Sequence, residues 1–134
     1  MPYPDVLALL VAHLTANLAP AGTDLPDRFD EPAERPGLLP FVQVQEITAT
    51  PRHRTWQGDS LTDAIDVDID VFAGSLTAAA DLARFGTPNL RDVLDKWHPA
   101  GISVGARTIP TRRPDRNPDV QRYGCVYTFL ARRG

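Results

Sequence analysis

The chain has 134 residues, 43% hydrophobic and 23% charged, which suits one globular domain and excludes two substantial cores or wholesale disorder. No apolar run approaches the ~20 residues that a bilayer-spanning helix needs, so no membrane partner is expected. A net charge of -3 and a pI near 5.5 give no global attraction to phosphate backbones, which argues against duplex gripping. The start, MPYPDVLALL, lacks the basic region and cleavage site of a secretory signal, and the single Cys125 fits a reducing compartment. Lys96 is the only lysine among 14 basic residues, a bias that a GC-rich coding source explains as well as any demand for forked hydrogen bonding.

The first element is an amphipathic helix over Pro4 to Leu18, since Val6, Leu7, Leu10, Val11, Leu14 and Leu18 recur at three and four. Pro20 to Gly22 stops it. Leu25 to Phe29 reads as a short edge strand ahead of the turn-rich EPAERPG, and Phe41 to Thr48 as an alternating strand. Residues 49–63 form a long polar loop or the tip of a long hairpin. AIDVDIDVFA, residues 64–73, is the clearest strand: Ile65, Val67, Ile69 and Val71 face a core while Asp66, Asp68 and Asp70 face the other way.

Ser75 then caps a second helix, broken at Gly86-Thr87-Pro88, which is either kinked there or restarted with Thr87 as a fresh N-cap. Gly101 to Ile109 reads as a strand, PTRRPDRNPD as a loop, and Val120 to Ala131 as a final strand, apolar on both faces and so central. Helix, strands, helix, strands is the order of a single α+β domain. Its largely antiparallel or mixed sheet carries the N-terminal and central helices on one face.

Three features invite chemistry. Gly58-Asp59-Ser60-Leu61 with Asp95 and His98 in a D-x-x-H pair has the form of a GDSL esterase, but the segment before Ser60 is polar and the family's oxyanion element is missing. The alternating aspartates 66, 68 and 70 open like an EF-hand loop, but Val71 stands where glycine must turn and Thr77 where a bidentate glutamate is needed. His13, His53 and His98 lack ligand spacing, so no metal is expected. Without a glycine-rich phosphate loop, no nucleotide cofactor is indicated.

Basic residues gather in two loops: Arg52, His53 and Arg54 beside Trp56, and Arg112, Arg113 and Arg116. These are either solvated, or an arginine arm that docks on the aspartate face of another subunit.

The opening helix, the P-x-V-x-V strand Pro40-Phe41-Val42-Gln43-Val44, the D-V-D-V-x-A-like strand Asp68-Ile69-Asp70-Val71-Phe72-Ala73 and the following helix rich in Ala, Leu and Arg together resemble the tail terminator proteins of long-tailed actinobacteriophages. The resemblance spans nearly the whole chain and rests on element order. It implies a structural virion protein, assembled in the host cytoplasm as a homo-oligomeric ring, a hexamer, at the tail-neck junction. Such a ring caps the tail tube protein, ends its polymerisation and meets the head-tail connector protein, with DNA only passing through its lumen. Another neck or head-closure adaptor is the alternative, and a small esterase a weaker one. In a ring, Asp66, Asp68 and Asp70 would line the lumen or meet a neighbour, and Arg52, Arg54, Trp56, Arg112 and Arg113 would join the subunit contacts.

Overall fold

The computed structural model describes residues 3–54, 60–115, 117 and 119–132, with the side chains of 52–61 outside that description. Helix α1 spans Val6–Asn17 and starts with its apolar stripe, two residues after Pro4, because Asp5 is the N-cap and accepts from the Ala8 N–H at 3.1 Å. Val6, Leu10 and Leu14, four apart, are its buried row. After α1 the chain forms β1, Ala21–Gly22, which pairs in parallel with Val42 and Gln43 at the start of β2, Phe41–Arg54.

A hairpin forms the centre of the molecule. β2 and β3, Ser60–Ala73, are each 14 residues long and pair antiparallel from Phe41 opposite Phe72 to Arg54 opposite Ser60. Residues 49–54 and 60–63 are thus strand, so of the two readings of 49–63 the long hairpin describes the molecule. β6, Gln121–Arg132, runs along β3 from Ala73 to Thr62 and carries β4, Ile102–Arg107, and β5, Thr111–Arg113, on its far side. The six-stranded sheet is therefore mixed, with β3 and β6 interior.

The inward alternation of β3 places Val67, Ile69 and Val71 at zero exposure beside Val42, Val44, Cys125, Tyr127 and Phe129. α1 and α4, Leu90–Asp95, cover this face with Leu10, Leu14, Leu90, Leu94 and Trp97. His13 joins the two helices: its Nε2 donates to the Val93 carbonyl at 3.1 Å, its Nδ1 faces the Asn17 amide at 3.2 Å, and its ring stacks on Trp97. Arg107 of β4 pairs with Asp95 at 3.0 Å, which ties the end of α4 to the sheet.

Three expectations need correction. Leu25 to Phe29 is no strand, because Arg28 adopts a φ of +66° and successive turns bond Phe29 N–H to Pro26 O and Glu31 N–H to Arg28 O. This segment and the short helix α2, Arg35–Leu38, form a strap on the far face of the sheet, where Phe29, Phe72 and Val120 make a second small core. Arg35 is buried there and donates through Nε to the Phe29 carbonyl.

The second helix is two: α3, Leu76–Ala80, capped by Ser75, runs into a wider turn at Asp81–Phe85 that Gly86 N–H closes on Asp81 O at 2.7 Å. The cap of α4 is Asn89, not Thr87. Asn89 accepts from the Asp92 N–H at 2.9 Å and donates to Gly86 O, so one buried amide seals both ends of the break. PTRRPDRNPD has the composition of a loop, but its Thr111–Arg113 pairs with β6 as strand β5.

Cys125 tests the core directly. Burial pushes its thiol up from its ordinary 9.0 to about 12, and the residue is fully inaccessible. The folded state thus favours the protonated form, so its contribution to stability is complete below pH ~9 and declines as the pH rises towards 12. At pH 8 the native protein should leave a disulfide reagent unreacted for hours, whereas the unfolded chain reacts stoichiometrically within minutes. Rapid reaction of the native form would place Cys125 outside the core.

Candidate functional site: an acidic row under an arginine clip

The far face of the hairpin carries Asp66, Asp68 and Asp70, as the alternation requires. They are not a row of equivalent solvated charges. Asp70 is 1% exposed and meets two guanidiniums: Arg113 Nη1 at 2.9 Å on one oxygen and Arg122 Nη2 at 2.6 Å on the other. Arg113 Nη1 also reaches Asp68 Oδ1 at 2.6 Å. Asp66 accepts from Thr48 and Thr128 of the flanking strands, at 2.8 and 2.5 Å.

Arginine does pair with this acidic row, but the partners belong to the same chain. Register explains why. Arg113 of β5 lies opposite Arg122 of β6, and Thr111 lies opposite Gly124, which on its other side faces Asp70. Arg113, Arg122 and Asp70 therefore share one face around a residue with no side chain.

A Cβ on Gly124 would fall 2.6 Å from both Cδ and Cζ of Arg113 and closer still to Asp70 Oδ1, so glycine leaves the room in which the clip closes. Two cations and two carboxylates cancel within it. Desolvation at Arg113 is outweighed by the hydrogen bonds it donates to Asp68 and Asp70 and by their charge, and at Arg122 the bond donated to Asp70 is the main cause, so both titrate above the usual arginine range. Arg122 Nε is buried and meets no acceptor among the described residues.

Arg112 projects to the opposite side of β5, opposite Tyr123, and is exposed, so the two neighbouring arginines separate. The backbone of Arg52 and Arg54 lies on the last part of β2; Trp56 and Arg116 lie outside the described residues. Arg122 and Gly124 were missed in the sequence. A glycine inside an otherwise apolar strand is the signal that could have marked a close approach there.

Beside the clip, under the strap, is a cleft of about 460 Å³. Phe29 and Phe72 provide apolar wall, Gln43, Gln45 and Asn117 amides, and Asp30 and Asp115 carboxylates, with Arg122 at its edge. No group of three or more His, Cys, Asp or Glu suited to a metal ion occurs among the described residues. Of the esterase-like residues, Ser60 starts β3 opposite Arg54, Asp95 engages Arg107, and His98 is exposed.

The geometry defines a sheet with helices on one face and an internally neutralised ion cluster on the other. No known family model matches the chain, and no curated protein does either.

Asp70→Asn should lower stability by about 2 to 3 kcal/mol, since it leaves two partly buried cations short of a counter-charge. Gly124→Ala should give a loss of the same order by forcing the carboxylate and guanidinium apart. Because both changes open one clip, the double variant should lose clearly less than the sum in denaturant titrations. Full additivity would mean that Gly124 acts independently of the clip.

Proposed function

We propose that this protein is a ring-forming structural subunit of a phage tail, which caps the tail tube, ends its polymerisation and joins it to the head connector. The observation that carries the reading is the long open edge of β2. β6 ends its pairing with β3 at Arg132 opposite Thr62, and β1 covers β2 only at Val42 and Gln43. Only Ser60 and Leu61 of β3 lie beyond the first point, whereas β2 has no strand on its outer side from Val44 to Arg54 among the described residues.

An open strand edge from Val44 to Arg54 is a liability for a lone monomer and an asset for an assembling subunit. Glu46 and Pro51, with bulges between Glu46 and Thr48 and around His53, blunt the outer edge against indiscriminate strand pairing. The order of helix, P-x-V-x-V strand, aspartate strand and alanine-rich helix supports the terminator reading within the class of assembling subunits.

The neutralised clip changes what this face offers a ring. With Asp68 and Asp70 bound to Arg113 and Arg122, the row is no bare negative wall, and its part in a ring is to hold β5 and the strap in place. The arrangement of Ser60, Asp95 and His98 weighs against hydrolysis, since the carboxylate that would orient the imidazole is bound to Arg107.

Negative-stain images of the purified protein, alone and with tail tubes, test the reading. Rings of sixfold symmetry at tube ends, with tube length no longer increasing after addition, are expected. Monomers that leave tube growth unchanged would overturn it. A fluorophosphonate probe should leave Ser60 unlabelled, and stoichiometric labelling abolished by His98→Ala would show an esterase instead.

A further inference from the structure

We propose that the outer edge of β2 receives strand β4 of a second copy, so that the sheet runs on from subunit to subunit; the contact rests on the ring reading and specifies its interface. Register within one chain points to this occupant.

Among the described residues the sheet is open on two sides: β2 has no outer strand from Val44 onward, and β4 has none beyond it. Following the pairs across the sheet puts these two edges at one level. Glu46 is opposite Val67, Val67 opposite Tyr127, and Tyr127 opposite Arg107. In the same way Ala49 is level with Val104 through Ile65 and Phe129, and Pro51 with Ile102 through Asp63 and Ala131. The path from β2 through β3 and β6 to β4 is antiparallel at every step, so β4 runs opposite to β2. A copy set beside the first without slide along the strands therefore meets it as an antiparallel neighbour, the more stable kind of pairing. Without slide there is no climb from copy to copy, which suits a closed ring over a filament.

The backbone groups fit the same register. The Val42 N–H turns outward to the Pro20 carbonyl, so alternation turns Val44 and Glu46 outward as well. Beyond the bulge Ala49 and Pro51 share that direction, because Ile65 and Asp63 opposite them have the parity of Val67. On β4 the Gly101 carbonyl accepts from the Arg132 N–H and the Thr108 N–H donates to the Val126 carbonyl, so those residues face β6 while Ile102, Val104 and Arg107 face out. Each outward residue of one edge is level with an outward residue of the other. Both edges also have a one-residue bulge between the Glu46/Arg107 and Ala49/Val104 rows, where Ile47 is passed over on β2 and Gly105 on β4. A regular strand would lose its alignment at either bulge, whereas these two stay aligned past it.

Charge selects between the edges. Glu46 is the only charged residue from Val44 to Pro51, and Arg107 the only one in β4. The joint sets them opposite each other. Arg107 contacts Asp95 at 3.0 Å with its side chain 45% exposed, and a guanidinium has donors for a second carboxylate. Pairing β2 with another β2 would instead bring two Glu46 carboxylates onto one short ladder with no cation, and would place Pro51, which has no N–H, at both of its ends.

Cysteine pairs test the contact in the full chain, since the native Cys125 is buried. Thr50 and Ser103 are exposed and level through Ala64 and Leu130. Within one chain they are three strand spacings apart, about 14 Å, too far for a disulfide, so a bond between them joins two copies. Oxidised Thr50→Cys/Ser103→Cys should give a covalent ladder that ends at the ring number seen by negative staining. Gln45→Cys/Ser103→Cys, out of register because Gln45 is opposite Asp68 and not Ala64, should link at least ~10-fold less. Ala49→Pro removes an N–H that a single chain leaves unpaired, so it should keep the far-UV circular dichroism and melting of the wild type and cut the assembled fraction at least ~10-fold.

Rings that form without the Thr50–Ser103 link, or with equal linking of the Gln45 pair, would overturn the contact and leave the ring reading standing. Filaments that have the link would support the contact and overturn the ring. Two-copy assemblies abolished by Ala49→Pro, with the Thr50–Ser103 pair unlinked, would mean that β2 pairs with β2 and would overturn β4 as the partner. Monomers at every concentration, with or without tail tubes, would overturn both readings. If Ala49→Pro does not fold, the cysteine ladder decides.

Discussion

Asp70 has almost no contact with water, and a carboxylate in that position needs cations and hydrogen bonds close at hand. That requirement organises the whole far side of the sheet. Arg122 comes from the neighbouring strand, and Arg113 can reach only if residues 111–113 pair with β6. Gly124 leaves open the space where carboxylate and guanidinium meet. The three-residue β5 has little sheet of its own, and its docking depends on this pairing of charges. Arg113 also binds Asp68, so the clip spans three strands.

The same hairpin divides the molecule into two kinds of surface. One face is a dry layer of Val, Ile and aromatic side chains under α1 and α4, where His13, Trp97 and Phe129 link helices to sheet through ring contacts. The other is polar, with Thr48, Asp66 and Thr128 bonded across strands and a small apolar core around Phe29 and Phe72 where the proline-rich strap crosses. The helical face thus holds the larger apolar core, and the far face holds the paired charges.

Much of the fold was legible because its signals are local. The stripe of α1, the alternation of β3 and the capping serine at residue 75 each reflect a periodicity or a bond within one segment, and the structure has all three. The errors fall where a distant contact decides. Residues 25–29 have the composition of a short strand, but the turns around Arg28 bring Phe29 against Phe72, and that burial outweighs any edge pairing. Thr87 has cap chemistry, yet Asn89 occupies the position from which one amide reaches Gly86 and Asp92 together. β5 has too few residues to show a period, and its partner strand follows only after a loop.

By itself the sequence determined that three aspartates share one face and that arginine loops stand ready to pair with acids, since alternation and charge are properties of the chain alone. It could not determine which arginine meets which carboxylate. That depends on register between strands more than forty residues apart, and a shift of one residue would turn Arg113 to the other face. Only the tertiary structure decided that Asp68 and Asp70 are neutralised from within. Coulomb energy depends on distance in space, and distance along the chain does not fix it.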